Sequence, residues 1–284
     1  MSAEEINSII RVFVGEGVNK IRLTGGEPLL RKDAKEIIRL ISKYPVEISL
    51  TTNGVFVHEY IDVFKEAGIK SVNVSLDSLD EKTNLFISGR NEFHRVKNNI
   101  ELLLKNEIRV KVNMVVIKNV NHHEIPDFVE WTKNEPIQVR FIEFMPFSGN
   151  LWSKEKVFSR HEMLELISSS YNFLKLSDEK HQTSAKYFIP EFRGSFAIIS
   201  TMSEPFCSEC NRMRLTTDGK MKNCLFSKNE ADILGAFRRG EDIVPIIRLC
   251  LASKEEFLGG QFTHIYESTD ASQINNRSMI NIGG

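Results

Sequence analysis

Along the first half of the chain, hydrophobic positions at helical spacing alternate with stretches in which hydrophobic and polar positions follow the strand-like period of two. In the opening segment Ile6, Ile9 and Phe13 recur at helical spacing, behind Ser2 and Glu5 at the spacing of a capping box. Strand-like alternation and helical spacing then follow each other. We predict strands within residues 19–24, 46–53, 70–77, 108–117 and 137–145, separated by helices at about 33–42, 58–67, up to 105, and 122–133.

This order of elements predicts the fold class. Alternating strands and helices with short connections are typical of βαβ units and a parallel sheet. Five strands in series favour a barrel or part-barrel, in which the working residues lie at the carboxyl ends of the strands. Because the chain opens with a helix, the series lacks its first strand. We therefore expect an α/β protein with a barrel or part-barrel that is missing its first strand.

The pattern changes after Met145 and Pro146. Loop-like residues, a helix near 160–169, two strand candidates (185–189 and 194–200), the cysteine-rich segment and two helices before residue 251 follow in that order. We place a domain boundary near residue 147. It separates a partial barrel in residues 1–146 from an α+β region in residues 147–284.

Composition and charge narrow the classes of function. The chain has 284 residues and a formal net charge of -1, which favours neither nucleic acid nor an acidic membrane as a partner. No apolar run is long enough to cross a bilayer, and the first ten residues lack the parts of a secretory signal. Clustered cysteines without an export signal indicate a metal site in a reducing compartment, so we expect a cytoplasmic location.

The cysteines form the most specific local pattern. Cys207, Cys210 and Cys224 have the spacing C-x2-C-x13-C, whereas Cys250 lies in an apolar helical run and is expected in the core. A closed zinc site needs four ligands, and no nearby histidine has ligand spacing. Three thiolates therefore favour an iron–sulfur cluster with one iron left open, and zinc completed by a histidine is the alternative.

Cations lie on several predicted strands and beside the cysteines. Period-two spacing places them on single strand faces: Lys20 and Arg22, Lys111, Arg140, and the pair Arg212 and Arg214. A buried cation needs an anionic partner, because an unpaired one is costly. The partner is either a carboxylate in a structural salt bridge or a polyanionic ligand such as a nucleoside triphosphate, and the pattern leaves both open.

Glycines mark two further candidates. Gly25 and Gly26 directly follow a strand, which fits either a tight turn or the close approach of a ligand to the backbone. Glu27 precedes a proline, so its carboxylate is placed to meet a bound amine or hydroxyl. Gly283 and Gly284 fit either a frayed terminus or a slim tail that enters a narrow cleft.

Taken together, the motifs resemble those of the GTP 3',8-cyclase family of radical S-adenosylmethionine enzymes. The resemblance covers about residues 4–284. It is carried by IRLTGGEPLLR, LTTNG, NVSLDSLD, VKVNMV, VRFIEFMP, FCSECNRMRLTTDGKMKNCLF and the final Gly-Gly. It implies an incomplete (β/α)6 barrel closed by a C-terminal region with a second [4Fe-4S] cluster.

The resemblance also implies roles for individual residues. The cluster ligands are Cys207, Cys210 and Cys224, and the open iron of their cluster binds the guanine of GTP. Further GTP contacts are Lys20, Arg22, Thr51, Lys111, Arg212 and Arg214. The contacts to S-adenosylmethionine are Gly25, Gly26, Glu27, Ser75 and Met145, with Glu27 at the methionine amine. The catalytic residues are Arg140, on the substrate side, and Gly283 and Gly284, in a tail that enters the active site.

One family feature is missing from this sequence. Family members begin with a strand and a C-x3-C-x2-C loop, whose cluster cleaves S-adenosylmethionine, whereas no cysteine precedes Cys207 here. We expect a chain that is truncated or wrongly started and that lacks this cluster and the first barrel strand. An inactive iron–sulfur or GTP-binding protein, or a zinc protein, is the alternative. The implied partners are GTP, S-adenosylmethionine, an unidentified electron donor, cyclic pyranopterin monophosphate synthase and a possible second copy of the chain.

Overall fold

A computed structural model describes residues 1–262, 268, 274 and 276–282, with the side chain of residue 280 not described. The helices are α1 (Ala3–Gly15), α2 (Ala34–Ile41), α3 (Ile61–Glu66), α4 (Glu81–Ser88), α5 (Phe93–Lys105), α6 (Ile125–Asn134), α7 (Arg160–Ser168), α8 (Ile233–Arg238), α9 (Val244–Ala252) and α10 (Met279–Ile282). The strands are β1 (Lys20–Leu23), β2 (Glu47–Thr52), β3 (Ser71–Ser75), β4 (Arg109–Val116), β5 (Gln138–Glu143), β6 (Leu174–Lys175), β7 (Ala185–Phe188), β8 (Ser195–Ile199), β9 (Arg214–Leu215), β10 (Lys220–Lys222) and β11 (Ala231–Asp232).

The predicted elements of the first half are confirmed. Helix α1 begins with the expected capping box, in which the Glu5 amide donates to Ser2 Oγ and the Ser2 amide donates to the Glu5 carboxylate. Each of the five predicted strands is present within one or two residues of its expected ends. The helical stretch before residue 105 is two helices, because Gly89 ends α4 in the left-handed conformation with φ of 67°.

One eight-stranded sheet dominates the fold, in the order β1-β2-β3-β4-β5-β8-β7-β6. Strands β1 to β5 and β8 pair in parallel, and β7 and β6 add to this sheet antiparallel. The chain is therefore an α/β protein with a mostly parallel sheet. Strand β8 continues the parallel series across residue 147, so the expected boundary does not coincide with an edge of the sheet.

The two faces of this sheet differ in character. Leu50, Val72, Val112 and Phe141 are fully buried on one face, where they pack against residues of the covering helices such as Ile38, Phe64, Leu103 and Phe128. The register places polar residues next to one another on the opposite face. A uniformly apolar parallel sheet is therefore not present. Helices cover the apolar face, and the polar face is left to hold polar groups.

The cysteine-bearing segment surrounds a small antiparallel sheet, in the order β11-β10-β9. Its core packs on helix α1, where Ile9 is fully buried among Met221, Ile233 and Ile247. Two ion pairs add to this contact: Arg238 with Glu5 at 2.7 Å and Arg248 with Glu16 at 2.8 Å. Helix α1 thus joins the large sheet to the cysteine-bearing region. None of the helices among the described residues has the length and apolarity needed to cross a membrane.

One expectation for this segment is wrong. Arg212 and Arg214 were expected to share a strand face, but β9 contains only Arg214 and Leu215, and Arg212 precedes it in irregular structure. Before β9, Cys207–Glu209 forms a single 3₁₀ turn. Arg212 is oriented instead by Phe206, with its guanidinium carbon 5.0 Å from the ring centroid.

Candidate active site

Two rows of polar side chains cross the polar face of the sheet, because paired positions in a parallel sheet point to the same side. The first row follows the register Thr51, Asn73, Lys111, Gln138 and Ser195. The second row, two residues further along the strands, holds Ser75, Asn113 and Arg140. The sheet therefore brings residues from five strands together. Thr51 and Ser75 lie at the carboxyl ends of their strands, as the sequence predicted, whereas Gln138 and Ser195 begin theirs.

Hydrogen bonds along these rows orient Arg140. Its Nε donates to Gln138 Oε1 at 3.2 Å, and its Nη1 donates to Asn73 Oδ1 at 3.3 Å. Asn73 in turn donates to Thr51 Oγ1 at 3.2 Å and to the Leu50 carbonyl at 2.9 Å. The partners of Arg140 are thus neutral amides, which fix the guanidinium without neutralising its charge.

Electrostatic repulsion is built into this face. Burial, with the charges of Arg140, Lys20 and Arg22, lowers the pKa of Lys111 to about 8. Burial and the charge of Arg22 lower the pKa of Arg140 to about 10. Buried cations that repel one another at such a cost are suited to an anionic ligand.

The cysteine-bearing segment adds two arginines to the same cluster. Burial and the charge of Arg212 lower the pKa of Arg214 to about 10. Burial and the charge of Arg212 also lower the pKa of Arg22 on strand β1. Because these electrostatic effects are reciprocal, the arginines of the two regions face each other. Arg22, Lys111, Arg140, Arg212 and Arg214 are called the cationic cluster below.

Two buried polar atoms have no hydrogen-bond partner in the part of the chain that the structure describes: Asn113 Oδ1 and Arg212 Nε. Buried polar groups are normally paired, so an orphaned acceptor and an orphaned donor require an explanation. Arg212 Nε can donate to a phosphate or a carbonyl oxygen of a ligand. Asn113 Oδ1, between Ser75 and Arg140 in the register, can accept from a ligand hydroxyl or amine.

Lys20 has a structural partner. Its ammonium lies 2.8 Å from Glu47 Oε1 at the edge of the sheet, and both side chains are about half exposed. This is the salt-bridge alternative that the sequence left open. The charge of Lys20 still acts on Lys111, and the predicted GTP contact of Lys20 stays a prediction.

The glycine turn after β1 is held by Glu27. Its Oε1 accepts from Thr52 Oγ1 at 2.7 Å and from the Leu29 amide at 3.0 Å, and its Oε2 accepts from the Asn53 amide at 2.7 Å. Gly25 has φ of 117°, a conformation that only glycine adopts readily. The carboxylate thus ties the turn to the end of β2, and its predicted contact with a ligand amine stays a prediction.

Ser75 and Met145 lie at the ends of their strands. Ser75 is the last residue of β3 and is exposed, whereas the strand before it is buried. Met145 follows β5 and packs against two small hydrophobic clusters, one of which includes Cys207 and Cys224. The methionine therefore lies between the large sheet and the cysteines.

The three predicted metal ligands come together. Cys207, Cys210 and Cys224 are half-buried free thiols that affect one another electrostatically. Burial raises the pKa of Cys207, although the Leu258 amide donates to its sulfur at 3.4 Å. Burial alone would also raise the pKa of Cys210, but hydrogen bonds and charge from Arg212 outweigh it and lower that pKa.

These thiols fit a cluster better than a single ion. In the part of the chain described, no three His, Cys, Asp or Glu side chains are close enough to hold one metal ion. A tetrahedral zinc ion needs its thiolates packed around one centre at about 2.3 Å. A cubane cluster binds each thiolate through a different iron, so its ligands stand further apart. The amide donor to Cys207 is also the kind of hydrogen bond that such clusters use.

Sequence reasoning missed several residues of this site. Asn73 and Gln138, which orient Arg140, and Asn113, with its orphaned oxygen, were not named as site residues. Their period-two positions beside Thr51 and Arg140 were the available signal. The remaining candidates, Gly283 and Gly284, lie outside the described residues.

Comparison with known proteins gives the family. A sequence profile of the Radical SAM superfamily matches residues 1–132, and one described as Molybdenum Cofactor Synthesis C matches residues 137–258. Molybdenum cofactor biosynthesis protein 1 of Dictyostelium discoideum is 39% identical over 293 residues, which cover 100% of this chain and 45% of that protein. This chain therefore spans less than half the length of that relative.

Two further proteins complete the comparison. The GTP 3',8-cyclase of Alkaliphilus oremlandii (strain OhILAs) is 37% identical over 289 residues, covering 100% of this chain and 87% of the relative. The crystal structure of Streptococcus suis SuiB bound to S-adenosylmethionine matches 99% of this chain and 66% of its own, with a TM-score of 0.65 and 14% identity. The latter likeness concerns the fold alone. The identity to the Alkaliphilus protein over nearly its whole length shows that this chain belongs to the GTP 3',8-cyclase family.

Proposed function

We propose that this chain binds GTP and S-adenosylmethionine and carries the cyclisation of GTP to 3',8-cyclo-7,8-dihydro-GTP, a step of molybdenum cofactor biosynthesis. The observation that carries the proposal is the cationic cluster, whose members lower one another's pKa and which faces three convergent cysteines. Family membership supplies the identity of the anion.

GTP is assigned to the space between the two regions. Arg22, Lys111, Arg212 and Arg214 would bind its phosphates and base, and Arg140 would act on the substrate side. Guanidinium groups suit phosphate oxygens because they donate two parallel hydrogen bonds. Thr51, which is 8% exposed and accepts from Asn73, would complete the contacts, and Lys20 would contribute only charge.

S-adenosylmethionine is assigned to the neighbouring strand ends. The turn of Gly25, Gly26 and Glu27 would receive its methionine part, with Ser75 and Met145 on either side. Asn113 joins this group in the proposal, because its orphaned oxygen lies next to Ser75 in the register. In this assignment the ligand would lie beside the cationic cluster, as a reaction between the two ligands requires.

A [4Fe-4S] cluster is assigned to Cys207, Cys210 and Cys224. When bound, it would supply an open iron as a Lewis acid for the guanine. The residues of this chain would position that base through Arg212 and Arg214. The thiolates for the cluster that cleaves S-adenosylmethionine are not among these 284 residues, which have no cysteine before Cys207.

The finer description of the fold belongs to the same proposal. Strands β1 to β5 would form the partial radical-SAM barrel of residues 1–146. Residues 147–284 would close it, with Gly283 and Gly284 entering the active site. An electron donor and the following enzyme, cyclic pyranopterin monophosphate synthase, would be the partners.

The test is metal content together with nucleotide affinity. After anaerobic reconstitution, we expect one cluster per chain, and Cys224→Ala should lose it whereas Cys250→Ala should keep it. GTP should bind more tightly than GDP by calorimetry, because the third phosphate adds charge at the cationic cluster. Zinc without iron would contradict the cluster assignment, and equal affinity for GTP and guanosine would contradict the GTP assignment.

A further inference from the structure

The segment after helix α9 contacts all three cysteine-bearing stretches, although it contains no cysteine itself. This segment is Lys254–Gly259, called the strap below. The ammonium of Lys254 donates to the carbonyl of Cys210. The amide of Leu258 donates to the sulfur of Cys207 at 3.4 Å. The third contact is with the backbone that follows Cys224.

Gly259 makes that third contact through close packing. A Cβ atom on Gly259 would lie 2.6 Å from the carbonyl carbon of Phe226 and 2.6 Å from the amide nitrogen of Ser227. Real Cβ atoms do not come so close to backbone atoms, so only glycine fits there. Its φ of 66° is also in the left-handed region, which favours glycine for a second reason.

Both ends of the strap are fixed. Before it, the side chain of Asn223 donates to the carbonyl of Cys250 at 2.7 Å, so the end of α9 is tied to the residue that precedes Cys224. Within it, Leu258 is 4% exposed and packs against Phe147 and Phe226. The strap is therefore anchored to the cysteine-bearing region by its backbone contacts and by the buried side chain of Leu258, whereas Glu255 and Glu256 are exposed.

The chemistry of the strap matches the needs of a reduced cluster. An N–H donor to a ligand sulfur and a nearby cation both stabilise the more negative state of an iron–sulfur cluster, which raises its reduction potential. The charge of Lys254 is close enough to act on the thiols of Cys207 and Cys210. These contacts come from outside the ligand set and so are available whether or not a ligand is bound.

We propose that the strap holds the three cysteines in the arrangement that receives the cluster, and that Lys254 and the Leu258 amide raise the reduction potential of that cluster. The proposal rests on the cluster of the proposed function. Lys254, Leu258 and Gly259 are thus positioning residues, which act through the cysteines rather than on the substrate.

Two glycine variants test the positioning. Gly259→Ala and Gly240→Ala carry the same backbone cost, because Gly240 has φ of 74°, but a Cβ on Gly240 meets no atom within 4 Å. In the reconstituted chain, iron loss to an excess of chelator should be at least about tenfold faster in Gly259→Ala than in Gly240→Ala, because a displaced strap exposes the ligands. Equal rates in the two variants would overturn the positioning role.

The reduction potential tests the electrostatic role, which purely structural contacts would leave unchanged. In a dithionite titration followed by electron paramagnetic resonance, Lys254→Met should lower the equilibrium constant for one-electron reduction about tenfold, which corresponds to about 59 mV. Lys254→Arg, which keeps the charge, and the remote Lys65→Met should both match the unchanged chain. If Lys254→Met also matches it, the electrostatic role is wrong.

Failure of the proposed function can be told apart from failure of the strap. A chain that binds zinc and no iron contradicts the cluster, and the strap is then judged by the rate at which chelator removes that zinc from the two glycine variants. Faster release from Gly259→Ala supports the strap, and equal release overturns it. If Lys254→Met fails to assemble a cluster, restored iron content in Lys254→Arg supports the role of the charge, and none restored overturns it.

Discussion

Two groups of buried charged side chains in this protein differ in whether the chain supplies their hydrogen-bond partners. Glu143 at the end of β5 is fully buried, and its carboxylate accepts from the amides of Arg160, Met202 and Ser203 and from the Ser203 hydroxyl. Glu124 is similarly satisfied by Ser78 and the amides that follow it. The half-buried ammonium of Lys111, by contrast, has no hydrogen bond or ion pair among the described residues.

The difference separates charges that hold the fold from charges that await a ligand. Glu143 joins the start of helix α7 and the turn after β8 to the sheet, so its donors are supplied by the chain itself. A carboxylate at a helix N-terminus is also favoured by the helix dipole. In the cationic cluster, the hydrogen-bond partners of Arg140 are neutral, and the charge of Arg22 repels it. Each prediction below tests this division.

The largest expected effect is a loss of stability when the buried carboxylate of Glu143 is replaced. In Glu143→Gln an amino group replaces one carboxylate oxygen, so two donors of the chain face a third donor. We expect the free energy of unfolding to fall by about 3 kcal/mol, since buried donors are left unpaired. Urea unfolding measures it, with the exposed Glu165→Gln as the control, expected within about 0.5 kcal/mol of the unchanged chain. A similar loss in both variants would contradict the structural role of Glu143.

The next largest effect is expected at Lys111 in the cationic cluster, where a substitution should increase stability instead of lowering it. In Lys111→Met an unpaired charge is replaced by an apolar chain of similar length. We expect unfolding free energy at pH 7 to rise by about 1 kcal/mol, because the cost of burying the charge disappears. GTP affinity should fall by about 30-fold, the loss of one charged hydrogen bond. A variant that is less stable but binds GTP normally would show that Lys111 belongs with the structural charges.

The sequence predicted the elements of this comparison better than their contacts. The five strands and the position of Arg140 followed from period-two alternation, which is a local signal. The partners of Glu143 lie 17, 59 and 60 residues away in sequence, and no local pattern contains them. The place of β8 next to β5 likewise depends on non-local pairing. Arg212 was misplaced because a two-residue strand leaves too short a pattern to read. The salt bridge of Lys20 could only be left open, because its partner Glu47 comes from the neighbouring strand.

Asp77 lies between the two groups of charges. This half-buried acid accepts one backbone hydrogen bond among the described residues, from the amide of Val115. Burial raises its pKa to about 6, above the ordinary 3.8. The folded state therefore holds the proton more tightly, and the contribution to stability is greatest below pH 3.8 and is lost as the pH rises to about 6.

Asp77→Asn keeps the acceptor and removes the titration. The unfolding free energy of the variant minus that of the unchanged chain should increase by about 1.5 kcal/mol from pH 4 to pH 7. This is about half of what the full pKa shift would give, because the side chain is only partly buried. Urea unfolding at the two pH values measures the difference, and the exposed Asp62→Asn should show none. A difference that stays constant with pH would place Asp77 with the satisfied carboxylates.

The smallest expected effect is the pH dependence of GTP binding through Lys111. Its folded pKa of about 8 lies below the ordinary 10.5, so the folded chain holds this proton less tightly than the unfolded one. The lysine loses its charge as the pH rises through about 8, and with it the attraction for phosphate. Between pH 7.5 and 8.5 we expect the affinity to fall about threefold, somewhat less if the bound phosphates retain the proton. Lys111→Arg, which stays charged throughout, corrects for the titration of the nucleotide itself and should not show this fall. If the two chains share one pH profile, Lys111 does not contact the ligand. The charges that await a ligand are then the arginines of the cationic cluster alone.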